Sequence, residues 1–157
     1  MILKLLERLG RKRVIKNGLD EDYMYRYYPL FKEKINAFDD DKTTPNVFIH
    51  KIVKSDADGD SVLHDHPWWY LTIVLAGGYY EWRPYTSSKG VTIQKRYWIG
   101  PGSILWRRAE SLHRLELYNN TPALTIFIHG KRIREWGFLT KNGWVDRISY
   151  IKKLSHK

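Results

Sequence analysis

The chain of 157 residues contains no cysteine. Disulfides, cysteine-ligated zinc, iron–sulfur clusters and a thiol nucleophile are therefore excluded. No apolar run approaches the length of a membrane span. Residues 2–9 (ILKLLERL) are apolar, but Lys4, Glu7 and Arg8 interrupt them and no small-residue cleavage site follows. They do not read as an export signal, and cytoplasmic residence is the expectation. Acidic residues are few: 17 Asp and Glu stand against 27 Lys and Arg, a net charge of +10. That balance attracts nucleic acid, anionic lipid, or a phosphorylated or carboxylated small molecule. No helix-turn-helix, zinc-finger or RNP motif accompanies the charge, so a nucleic-acid partner rests on charge alone. GxSxG, P-loop and GxGxxG motifs are absent too.

Aromatic residues, by contrast, make up 15% of the chain, with seven Trp and eleven Tyr. Residues 1–16 read as an amphipathic helix, with Ile2, Leu5, Leu6 and Leu9 at helical spacing among basic residues. Residues 21–38 are aromatic and mixed, with a helix expected after Pro29, and 39–46 (DDDKTTPN) form a loop. From Pro45 the character changes to short runs rich in Val, Ile, Thr and aromatics. Strands are predicted near 47–54, 61–66, 69–76, 79–84, 91–98, 103–108, 112–118, 123–129, 132–139 and 144–150. Gly77-Gly78, the 85–90 segment, Gly100-Pro101-Gly102, the 119–122 segment and Asn142-Gly143 punctuate them, the last being the strongest hairpin signal. This organisation predicts a helical and aromatic extension, 1–44, packed on a β-sandwich or barrel domain, 45–157.

Two segments carry chemistry. In 60–81 (DSVLHDHPWWYLTIVLAGGYYE), His64 and His66 stand two apart, which on a strand puts both imidazoles on one face and Asp65 on the other. In 101–117 (PGSILWRRAESLHRLEL), His113 lies in a second strand-like run. Three imidazoles from two strands can converge on one divalent ion.

These segments resemble the paired motifs of the cupin superfamily: an HxH, a Glu shortly after it and a closing Gly, then a PxG-type turn followed by a His. Here they are His64-Asp65-His66, Gly77, the 100–102 turn, and Ala109 leading to His113. The resemblance covers roughly residues 45–140. It implies an all-β double-stranded β-helix (the cupin jelly roll), preceded here by a short N-terminal helical segment, with a metal in its mouth and a homodimer as the assembly. The motif's Glu is replaced by Tyr70 and Leu71, and Glu81 has the wrong spacing to take its place, so the ligand set is three histidines. Neutral imidazoles leave an ion its full charge and open positions, which favours dioxygen or an anionic substrate beside it. In this the pattern is similar to cysteine dioxygenase-like thiol dioxygenases, which hold ferrous iron on three histidines. Arg26, in YRYY, corresponds to that family's carboxylate-binding arginine. The family's Ser-x-His-x-Tyr strand falls on Thr125, Phe127 and His129, so its inward His and Tyr are replaced and cysteine is not carried over as the substrate.

Around the expected metal, His129 and Tyr70 are the candidate acid–base residues. Arg107, Arg108, Arg26, Trp106 and Tyr79 are candidates for holding substrate, because guanidinium forks match carboxylate and phosphate oxygens and rings stack on planar ligands. His50 reads as structural beside Phe48 and Ile52, and His156 lies in a terminal tail. Lys131, Arg132, Arg134 and Trp136 form a basic–aromatic cluster that, with Lys152 and Lys153, can make a phosphate-binding stripe. Two functions remain open. One is a metal-dependent cupin enzyme of iron(II) dioxygenase type acting on a small anionic substrate, with zinc, nickel and manganese as the other ions imidazole suits. The other is a non-catalytic cupin module that binds an anionic small molecule or nucleic acid.

Overall fold

Turn residues divide the chain as the sequence indicates. The computed structural model describes residues 1–17, 20–31, 45–56 and 62–154. Helix α1 (Ile2–Arg8) is followed by strands β1 (Lys12–Lys16), β2 (Asp22–Tyr27), β3 (Asn46–Ile52), β4 (Leu63–His64), β5 (Tyr70–Ala76) and β6 (Tyr79–Thr86). Then come β7 (Thr92–Ile99), β8 (Ile104–Arg107), β9 (Arg114–Leu117), β10 (Ala123–His129), β11 (Gly137–Thr140), β12 (Gly143–Asp146) and helix α2 (Arg147–Leu154).

One sheet has the order β1-β2-β3-β10-β5-β8, and two three-stranded sheets have the orders β12-β11-β4 and β7-β6-β9. A backbone bridge joins the two smaller sheets: His64 N donates to His113 O at 2.8 Å and His113 N to His64 O at 2.9 Å. The result is two six-stranded layers facing each other, the double-stranded β-helix. Ile52, Val74 and Ala123 from the first layer pack against Tyr79, Ile99, Leu115 and Leu117 from the second. Each Ile, Val or Leu side chain among them taken from water contributes about 1.5–3 kcal/mol.

Three expectations are corrected. The helix over 1–16 stops at Arg8, because Gly10 (φ 63) turns the chain. Val14 and Ile15, β-branched and poor in helices, then pair with β2. In the 21–38 stretch, Asp22–Tyr27 ahead of Pro29 is strand, and residues 32–44, where the helix after Pro29 and most of the 39–46 loop were expected, lie outside the described residues. The expected 132–139 strand is confined to its last part, starting at Gly137, and 144–150 is strand only to Asp146. There the Asp146 carboxylate accepts from Ser149 N at 3.0 Å, an N-cap bond that starts α2. The Asn142-Gly143 signal does mark the β11–β12 hairpin, in which Thr140 pairs with Gly143 (φ 102).

The turn after β5 needs glycine. Gly77 adopts φ 70, and a Cβ there would collide with the Pro122 carbonyl oxygen. This turn brings β6 back along the second layer and carries Tyr79 and Glu81 inward.

Candidate metal centre

β4 is only two residues long, so His64 is its last residue and His66 lies in the extended segment after it. That segment is held from both sides: Asp65 N donates to Gly137 O at 3.1 Å and His66 N to Ala109 O at 3.0 Å. Between them Asp65 points away from the histidines, as alternation requires. Its buried carboxylate accepts from Arg134 Nη1 (2.6 Å), Gly137 N (2.7 Å) and Trp144 Nε1 (2.9 Å), tying the motif to β11 and β12. The His64–His113 bridge sets the third ring beside the first two.

The three rings converge, with one nitrogen from each lying within 4.8 Å of the others. His66 Nε2 and His113 Nε2 are 2.9 Å apart. Two nitrogens about 2.1 Å from one ion and at right angles to each other lie about 3.0 Å apart, so this spacing fits a shared cation.

His113 is oriented from behind. Its Nδ1 is 3.0 Å from Glu81 Oε1, and a carboxylate only accepts, so Nδ1 carries a proton, which in the neutral ring leaves the lone pair on Nε2. Arg107 Nη2 donates to the other oxygen, Glu81 Oε2, at 2.6 Å, with Arg83 Nε 3.4 Å away. Burial alone would raise the Glu81 pKa, but the bonds from His113 and Arg107 outweigh it and draw it down to about 2. A carboxylate–histidine pair of this kind fixes ring tautomer and orientation at metal sites.

Burial pushes His64 down to about 4, with the Asp56 carboxylate 3.7 Å away opposing the shift. Burial, and then the charges of His113, His64, Arg26 and His50, hold His66 well below its ordinary value. Both rings are therefore neutral near pH 7, the form that binds metal. This has a consequence for the chelator-stripped protein. The unfolded chain protonates His64 near pH 6.5, whereas the folded chain does so only near 4. Stability is thus fully present above pH 6.5 and is lost as the pH falls toward 4; His50 and His66 shift in the same direction. Thermal melts over this range are expected to show a falling Tm, and a flat profile from pH 7 to 4.5 would contradict the burial of these rings.

A cavity of about 560 Å³ opens between the layers and includes all three rings. Tyr70, Tyr79, Arg107 and Arg26 line it. The Tyr70 hydroxyl lies 3.3 Å from His113 Nδ1 and 3.2 Å from Nε2. Burial and the Glu81 charge hold that hydroxyl protonated well above its ordinary range. The indole of Trp136 runs parallel to His66, with centroids 6.4 Å apart.

Three other candidates are elsewhere. Trp106 is 54% exposed on the outer face of β8, because alternation turns Leu105 and Arg107 inward instead. Arg108 follows the end of β8, is exposed, and takes no part in the cavity wall. His129 shares the inward row of β10 with Thr125 and Phe127, but it lies past the cavity. It is fully buried, stacked on Trp68 at 4.3 Å and 4.9 Å from Phe48, and its Nδ1 donates to Gly130 O at 2.9 Å. It packs the end of the barrel. In the basic cluster, Arg132 pairs with Glu135 and Arg134 with Asp65, while Trp136 turns into the cavity. His156 lies outside the described residues.

Sequence reasoning missed the orienting role of Glu81 and the place of His50 on the cavity wall. Alternation from the buried Tyr79 was the available signal for Glu81.

No protein-family model matches the sequence, and no curated protein matches it. Solved structures do share the fold. The crystal structure of Fe(II) HppE aligns with a TM-score of 0.51 at 11% identity, over 76% of this chain and 57% of that one. Hydroxypropylphosphonic acid epoxidase from S. wedmorenis aligns at 0.50 and 10% identity, over 76% and 56%. A cupin-superfamily sugar phosphate isomerase from Silicibacter pomeroyi aligns at 0.48 and 11% identity, over 85% and 83%. The chain spans little more than half the length of the first two. What is shared with the first two is the architecture, a jelly roll of facing antiparallel sheets.

Proposed function

We propose that this cupin-fold chain is a metal-dependent enzyme of iron(II) dioxygenase type, acting on a small anionic substrate, with His64, His66 and His113 as the metal ligands. The observation that carries the reading is the convergence of three imidazole nitrogens within 4.8 Å, one of them oriented by a buried carboxylate. The likeness in fold to an Fe(II) protein agrees with it. Iron held by the three imidazoles would supply Lewis acidity and a one-electron path by which an oxidisable substrate gives its electrons to dioxygen.

The chain's own contributions follow from the geometry. Glu81 keeps the proton on His113 Nδ1, and Arg107 keeps Glu81 ionised and in place. The protonated Tyr70 hydroxyl, beside His113, is positioned to donate a hydrogen bond to an oxygen held at the centre. Phe127, 5.0 Å from Tyr70, and Trp136 give the wall an apolar side that limits water. Arg26, on the same sheet as Tyr70 and Phe127, supplies positive charge for an anionic substrate.

Metal analysis of the purified protein, with oxygen uptake measured after iron loading against a panel of carboxylates and phosphate esters, tests this reading. Near-stoichiometric metal with substrate-dependent oxygen uptake is expected. Metal uptake without oxygen consumption under any condition would favour the binding module, and a protein that takes up no divalent ion would overturn the centre itself. Glu81→Gln sharpens the test. It removes the negative charge behind His113 while keeping its shape, and metal affinity is expected to fall by about 10–100-fold, measured by competition with a chelator. Unchanged affinity would mean that Glu81 only braces Arg107.

A further inference from the structure

The outer side of β6 turns away from the metal centre and is built of rings and cations. Between Glu81 and Glu110 the chain carries Arg83, Lys89, Lys95, Arg96, Arg107 and Arg108 and no Asp or Glu. The first four lie on the β6–β7 hairpin, so beyond Glu81 that hairpin carries positive charge alone. Tyr79 and Glu81 are buried on the inner side, and alternation turns Tyr80 and Trp82 outward. The registers set Trp82 between Arg96 of β7 and Arg114 of β9, and Tyr80 between Trp98 and Glu116. The Arg114 guanidinium lies 4.4 Å from the centre of the Trp82 ring. That of Arg96 lies 4.4 Å from the centre of Tyr80 and 6.0 Å from that of Trp82.

Trp98 is exposed and held in place at once. Its indole meets Tyr80 and Tyr118 edge to face, with centroids 5.4 and 5.3 Å apart. It also lies across the backbone at Gly78 and Gly100, where a Cβ would stand 2.4 and 2.8 Å from ring atoms. Two glycines thus make room for one indole. Trp98 is still 50% exposed, and Tyr118 48%. An apolar ring that is fixed but left in water forgoes the burial that would offset its fixing, and it meets a ligand already ordered. Glu116 accepts from Trp82 Nε1 at 2.7 Å and stands 3.7 Å from Arg96 Nη1, yet the Arg96 side chain stays half exposed.

We infer that this face binds a single-stranded nucleic acid, with bases stacked on Trp98 and Tyr118 and phosphates along Arg96, Arg114 and the hairpin lysines. A single strand alternates flat rings with negative charges, and the face alternates exposed rings with cations. In a duplex the base faces are already stacked on one another and are closed to these rings. An acidic peptide would use the cations and leave the rings in water. The net charge of +10 adds long-range attraction for the phosphate backbone. The face lies on the other side of β6 from Glu81 and the cavity, so nothing here depends on a bound metal.

Fluorescence anisotropy of a labelled oligouridylate, titrated with the full chain at several salt concentrations, tests this. Saturable binding is expected, with log affinity falling linearly against log salt. Trp98→Ala should weaken it about tenfold or more with the salt slope unchanged, because stacking involves no charge. Tyr118→Ala, outside the sheet, should act in the same direction and serves if Trp98→Ala does not fold. Replacing Arg96 and Arg114 together by Gln should make the slope shallower by about 1.4. Replacing Lys152 and Lys153 by Gln removes as much charge from α2 and should leave the slope as it is. Inorganic polyphosphate, which offers charge without bases, should compete only weakly. Equal effects of the two double variants, polyphosphate competing as well as oligouridylate, or unchanged affinity in a folded Trp98→Ala or Tyr118→Ala protein would reduce the binding to net charge and overturn the inference. So would a wild-type chain that ignores the oligonucleotide and instead binds phosphatidylserine vesicles, or forms a dimer that Trp98→Ala dissociates.

Discussion

His113→Ala is expected to empty the metal centre while leaving the barrel standing. The substitution removes the imidazole whose Nε2 lies 2.9 Å from that of His66, so two nitrogens remain where three converged. The β4–β9 connection survives because it is made by the backbone of His113 and not by its ring. Losing a ligand outright should cost more than losing the group that orients it, so affinity is expected to drop by more than about 100-fold. Glu81 keeps its bond from Arg107 and remains ionised. Metal analysis of the variant after gel filtration, beside near-ultraviolet circular dichroism, checks both halves. Metal content equal to wild type would remove the basis of the proposed enzyme. A collapsed spectrum would show instead that the ring is needed for packing, in which case His64→Ala, at a less buried ring, repeats the measurement.

Asp65→Ala is expected to be the most damaging single change outside the ligands. Its carboxylate is 2% exposed and accepts three bonds from two elements distant in sequence. Alanine leaves the buried Gly137 N–H without its acceptor. Arg134 and Trp144 each keep partial access to water, which moderates their loss. An unsatisfied buried donor together with a lost charged hydrogen bond amounts to about 3 kcal/mol. For a chain of this length that is a fall of about 10 °C in Tm. Asp65→Asn can retain an acceptor for Gly137 N and should recover part of the loss. Chemical denaturation of the three proteins decides it: an alanine variant within about 0.5 kcal/mol of wild type would show that the knot is not what holds the motif in place.

The Asp65 knot also shows how local and distant information divide. From the HDH sequence alone, alternation places the aspartate on the opposite side from the two histidines, and it is there. That its partners would be Arg134, Gly137 and Trp144 depends on β11 lying beside β4, which nothing local to residues 64–66 specifies. The same division runs through the other residues. Glu81 was set aside because its spacing did not fit a ligand; its role appears only when β6 pairs with β9 and brings it behind His113. Arg107 and Arg108 were indistinguishable candidates until the Tyr70–Arg107 register turned the first one inward. His129 lay on the correct face of β10 at the wrong depth.

At the start of the chain the helical reading ran too far, since helical spacing over four apolar residues outweighed the stop at Gly10 and the β-branched pair after it. As a result the β1–β2 pairing, with Arg13 opposite Arg26, was invisible: it requires β1 to be a strand.

By itself, then, the sequence determined the all-β jelly roll, most of its turns, and the three histidines that converge. Strand alternation, glycine conformations and the exclusion of cysteine chemistry are properties of short stretches of chain. Only the tertiary structure decided which carboxylate steadies His113, which arginines face the cavity, and which histidine merely fills the end of the barrel. The physical reason is that alternation fixes the side of a strand a residue occupies, whereas its neighbours across the sheet and its depth between the layers are set by registers formed between residues far apart in the chain.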